Sequence, residues 1–175
     1  MSYIFRFFLM LIALTLPALI NASERSSAHD TNVPALKKMV EASYKEYAWI
    51  VVFGVDSTSK SLISLNQESL VKLRRIFTDE LALAIFNDAQ CARKTKEVCA
   101  LDFDILFDSQ DPDARDLTIR SKTKQLVEVC FIEQTTKRRC LEFVGVSGNG
   151  KKGEQIYDIK YDQTGRTLRK ILKLK

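Results

Sequence analysis

Apolar residues recur at three- and four-residue steps in the first half of this chain and at two-residue steps in the second. Leu36, Met39, Val40, Tyr44, Tyr47 and Val51 form one helical stripe. Pro34 suits a first turn, and Thr31 or Asn32 is the candidate cap. The pattern predicts a helix from about Pro34 to the stop at Gly54, with Ala48–Phe53 as its buried end and Ser57–Ser61 as a polar connection. A second stripe, Leu70, Leu73, Ile76, Phe77, Leu81, Ala84 and Ile85, follows Ser64 or Asn66 and runs to about Gln90. Ser64 and Gln67 fit a capping box, and Thr78-Asp79 suits the start of a separate third helix.

After Cys99 the period shortens. Leu101, Phe103 and Ile105 alternate with Asp102 and Asp104, which predicts a half-buried strand, and Asp111-Pro112-Asp113 reads as a turn. Further strands are expected at about Leu117–Ser121, Gln125–Glu133, Arg139–Ser147 and Gln155–Asp162, with Gly148-Asn149-Gly150 turning the last pair. Helices first and a meander second predict an α+β fold, with N-terminal helices packed on an antiparallel sheet in one domain over residues 34–175.

The first 22 residues change the setting. Arg6 precedes an apolar run from Phe7 to Ile20, and small and polar residues follow at Asn21-Ala22-Ser23, the layout of a secretory signal peptide. A spanning anchor would need about 20 consecutive apolar residues, and a lipoprotein would need a cysteine at the cut, whereas the first cysteine is Cys91. Cleavage after Ala22 leaves 153 of the 175 residues and lowers the net charge from +5 to +4, with 23–33 a flexible leader. The expected location is the periplasm or the medium, with no stable membrane anchor after cleavage. The basic run Arg166, Arg169, Lys170, Lys173 and Lys175 then reads as a solvated element end, because nucleic acid is not a partner expected outside the cell.

Export also decides the cysteines. Cys130 and Cys140 lie in two strand-like runs joined by residues 134–138, and a hairpin centred near Thr135 sets them opposite one another. Cys91 and Cys99 flank a charged connection that a second bridge would close. The spacings are not those of a zinc site, and the one histidine, His29, lies in the leader, so two disulfides are expected, with no metal and no cofactor.

Six aspartates fall between Asp102 and Asp116. Asp102, Asp104, Asp108, Gln110 and Asp111 are the candidate binding residues, and Asp102 with Asp104, two apart on a strand, would share a face as a paired acid and base. The ordinary alternative is a wet strand face followed by an Asp-rich turn. No nucleophile has a histidine beside it, and the glycines at 148–153 lack phosphate-loop spacing. Tyr44, Tyr47, Trp49 and Phe53, at helical spacing, read as core.

The run Asp102-Phe103-Asp104-Ile105-Leu106-Phe107-Asp108-Ser109-Gln110-Asp111 resembles a family of small secreted bacterial proteins known as a domain of unknown function, whose signature is D-F-D-P-F followed by A-Q-D. Ile105 stands for the proline and Leu106 for the phenylalanine. Ile156-Tyr157-Asp158-Ile159-Lys160-Tyr161, with Gly165 and Leu168, is similar to the family's closing strand, although Glu154 replaces its usual tryptophan. The resemblance spans about Pro34 to Leu172. It implies a nuclear-transport-factor-2-like cone, with helices on a strongly curved sheet around a cavity, and export to the periplasm. The expected function is therefore an exported, non-enzymatic binding domain that takes a partner protein or small ligand on the concave face. One form is an immunity or inhibitor protein whose acidic Asp108–Asp116 loop meets a basic site. The alternative is a small enzyme using Asp102 and Asp104.

Overall fold

The computed structural model describes residues 33–48, 51, 63–133, 137–148 and 153–175. The predicted signal peptide, all of the leader except Val33, and most of 49–62 lie outside the described residues. The fold is α+β: helices and one open four-stranded antiparallel sheet in the order β1-β2-β3-β4.

Helix α1 is Ala35–Tyr47 and buries the predicted stripe through Leu36, Val40 and Tyr44. Pro34 itself holds the N-cap position, without a side-chain bond, and Ala48 closes the helix through its N–H to Tyr44 O. The helix thus stops before the predicted buried end, of which residues 49, 50, 52 and 53 lie outside the described ones. The capping box at Ser64 does not form. Leu65–Gln67 is a short 3-10 turn instead, and Ser69 caps helix α2 (Leu70–Ile76) by accepting from Lys72 N. The predicted break is present: Phe77 turns extended, bridges to Ile156, and Thr78 leads into helix α3, Asp79–Thr95. Helix α3 runs five residues past the expected Gln90, with Asp79 and Glu80 in its first turn and Arg93 and Lys94 in its last, each favourable to the helix dipole.

The predicted strand at Leu101–Ile105 is not one. Asp104 folds this segment into turns: its Oδ1 accepts from Leu106 N at 2.8 Å, and its carbonyl accepts from Phe107 N and Asp108 N. A short side chain that bonds nearby backbone in this way competes with strand pairing. Three consecutive apolar residues of these turns, Ile105, Leu106 and Phe107, are fully buried. A half-buried strand with one face in water cannot do that.

Strands β1 (Ala114–Thr123), β2 (Leu126–Glu133), β3 (Lys137–Ser147) and β4 (Glu154–Lys160) form the expected meander. Val127, Val129, Phe131, Leu141, Phe143 and Ile159 face the core, where α1 and the turns at 103–107 cover them. Tyr44 sits edge-on to Phe107 and Phe143, and Phe107 to Phe131, with ring centroids 5.4–6.0 Å apart. Burying each such side chain contributes about 1.5–3 kcal/mol. Gly145 lets α1 approach, since a Cβ there would lie 2.7 Å from a Leu36 methyl. Helix α4, Leu168–Ile171, is capped by the Thr167 hydroxyl and closes the described chain with the residues after it.

Candidate functional site

The segment 102–110 is tied down from every side. The Tyr44 hydroxyl donates to Leu106 O, and the Tyr161 hydroxyl donates to Ile105 O at 3.3 Å. Arg139 Nη1, from β3, donates to Asp108 O at 2.8 Å. Asp104 N donates to Ser109 O, and Asn66 Nδ2 reaches Phe103 O at 3.5 Å. Burial holds both tyrosine hydroxyls well above the usual phenol range, so they stay protonated donors.

The five candidate residues divide by environment. Asp104 is half-buried, with Ser64 Oγ donating to its second oxygen at 3.2 Å. Burial raises its carboxyl above the ordinary aspartate value, against the lowering effect of the Leu106 N–H and the Ser64 hydroxyl. Asp108 does not reach solvent as an acidic loop would. Its side chain is 7% exposed, forms an ion pair with Arg166, and lies 3.6 Å from Arg139. Asp102 and Gln110 are exposed and joined, Gln110 Nε2 donating to Asp102 Oδ2 at 2.8 Å, while Asp111 is exposed beside them in sequence. Because no strand forms here, Asp102 and Asp104 do not share a strand face. They instead line an open depression of about 340 Å³ with Ser64, Asn66, Gln67 and Gln110.

Of the basic run after Tyr161, Arg166, Lys170, Lys173 and Lys175 are exposed, as expected of a solvated end, and Arg169 is buried. Arg166 lies over Phe103 and Tyr161, 4.9 and 5.1 Å from the ring centroids. Arg169 is 5% exposed, bonded to Glu80 and to Lys175 O, and stacked over Tyr157. Arg166 was not legible as a partner of the aspartate segment, because nothing local marks a pair separated by 58 residues.

No protein-family model, curated protein or solved structure matches this chain. Its chemistry rests on the residues themselves.

Both expected disulfides are present. Cys130 and Cys140 are directly opposed in the β2–β3 register, with Cα atoms 4.1 Å apart, and Cys91–Cys99 closes the end of α3. Among the described residues, the one cluster with ligand-type atoms in range is Glu128 with Cys130 and Cys140, whose sulfurs are bonded to each other and offer no thiolate. No described helix is long and apolar enough to cross a membrane. The two bridges fit an oxidising compartment.

Proposed function

We propose that this chain is an exported, non-enzymatic binding domain that holds a basic partner protein against the acidic rim at 102–116. The observation that carries the reading is the division of labour along 102–116, whose first part, 102–110, is pinned. Asp104 and Asp108 are spent on internal bonds, while Asp102, Asp111, Asp113 and Asp116 are exposed on the same stretch of backbone. A rim of carboxylates on a pre-organised backbone loses little conformational freedom on association and steers a cationic surface toward it. The inner face of the sheet is filled by packed side chains, which favours this rim as the contact surface. An immunity or inhibitor protein is one form of this function, and the two disulfides and the signal-like N-terminus support a periplasmic or extracellular setting.

A second reading is favoured by one observation. Asp104 is a carboxyl with a raised pKa in a polar depression beside Asp102, the setting of a general acid. Both of its oxygens are already engaged, which weakens that reading.

Affinity capture from the extracytoplasmic fraction of the source cells separates the two. Binding supports the first reading if a stoichiometric basic partner is recovered by the wild type and by Asp104→Asn but lost from Asp111→Lys/Asp113→Lys. A ligand bound or turned over only while Asp102 and Asp104 are intact, with the rim reversal silent, overturns it.

A further inference from the structure

We propose that the Cys91–Cys99 bridge is an exchange site for small thiols, opened and reclosed within the folded protein by attack at the Cys91 sulfur. The two bridges are held differently. Cys140 faces away from the core, but Cys130 is 3% exposed, and the pair is fixed between β2 and β3, each with a further strand on its other side. Cys91 is exposed in the last turns of α3, and Cys99 is half-buried at the end of an exposed connection, residues 96–98. A connection of that kind opens without the rest of the fold.

Access is built into the surface. Both Cys91 and Cys99 line an open depression of about 480 Å³ between α3 and residues 171–173, so a small thiol can reach the bridge from solvent. Asp88 and Lys173 line the same depression. The Asp88 carboxylate is spent on two backbone N–H groups, Ala100 N at 2.6 Å and Leu101 N at 3.1 Å. Lys173 Nζ has no ion-pair partner among the described residues, and its charge favours the approach of a thiolate.

The incoming thiolate bonds to Sγ of Cys91, the more exposed residue of the pair, the protein S–S bond breaks, and Cys99 leaves as a thiolate that takes a proton from water. A second thiolate attacks the external sulfur of this mixed disulfide and releases Cys91. The external thiols are thereby oxidised to a disulfide by the two electrons that the protein bridge gains. Asp88 gives the site its reversibility. It lies one turn before Cys91 on α3 and grips the two residues after Cys99, so the freed thiols stay near one another. The same grip leaves the segment at 102–110 in place while the bridge is open.

Reduced glutathione and, in a parallel series, dithiothreitol added to the oxidised protein under native conditions test the proposal, with exchange stopped by acid and the cysteines mapped by mass. Cys91–Cys99 should open on the order of tenfold faster than Cys130–Cys140, with circular dichroism unchanged and thermal unfolding still cooperative. The glutathione adduct should fall on Cys91. Asp88→Ala frees the segment after Cys99 and should slow reclosure roughly tenfold, so the adduct accumulates in this variant if the native chain recloses too fast to show it. The dithiothreitol series fixes the order of opening without any variant. A Cys91–Cys99 bridge that opens only with unfolding or no faster than Cys130–Cys140, an adduct chiefly on Cys99, or no adduct in either protein would each overturn the proposal.

Discussion

Asp108 and Arg166, 58 residues apart in the chain, meet as an ion pair over the rings of Phe103 and Tyr161. The aspartate is nearly enclosed and the arginine side chain is 41% exposed, so the pair is half in water. Arg139 approaches the same carboxylate from β3 and also holds the Asp108 carbonyl. One carboxylate thereby joins the turn at 102–108, the sheet and the loop after β4.

Asp108→Asn should cost about 2 kcal/mol, because it leaves two guanidinium groups facing an uncharged amide, with the exposure of Arg166 moderating the loss. Asparagine tolerates the positive φ of this position, so the loss reports charge and not backbone strain. Urea unfolding should show a lower midpoint at an unchanged slope. An unaltered midpoint would mean that the network does not hold the fold.

Acid behaviour should run in two directions. Burial raises the Asp104 carboxyl in the folded state, so the native protein binds its proton more tightly than the unfolded chain. The stability linked to that proton is complete below the unfolded value and is lost as pH rises through the folded one. Asp162 is the opposite case. Backbone N–H groups led by that of Arg166, together with the Thr164 hydroxyl, lower its carboxyl, so its contribution is present above the unfolded value and lost as pH falls through the folded one. Asp104→Asn should flatten the decline in stability on leaving the acid range, and Asp162→Asn should flatten the loss on entering it. Thermal unfolding across pH 3–7, a range of about four units around the carboxylate values, checks both slopes.

Gly145→Ala should destabilise by about 1–3 kcal/mol, since the new methyl would press on the buried Leu36 side chain. In a Leu36→Ala background the same change should cost much less, and a double-mutant cycle of unfolding free energies measures the difference. Additive losses would show that α1 does not rest on Gly145.

Replacing Cys91/Cys99 or Cys130/Cys140 by alanine pairs should each cost about 2.5 kcal/mol from freer unfolded chains, as the closed loops are similar in length. The second pair should lose more than the first, because Cys130 is 3% exposed and packs within the sheet whereas Cys91 is exposed on the end of α3. Calorimetry of the two variants ranks them. Equal losses would place the whole effect in the unfolded state.

What the linear order of residues determined is what depends on near neighbours. Helical stripes, the break at Thr78-Asp79, the four meander strands and the Cys130–Cys140 opposition all follow from spacing and short connections, and all are present. The Leu101–Ile105 alternation failed for an equally physical reason. Polar and apolar residues alternate there, but the Asp104 side chain takes the backbone bonds that a strand would need, and the core takes Ile105, Leu106 and Phe107 together. Only the tertiary structure decided which aspartates stay available. Asp108 is neutralised by arginines from β3 and from the loop after β4, and Asp104 is engaged by Ser64 and the backbone. Charge on a side chain is written in the sequence, but its exposure is set by partners that the chain brings together only on folding.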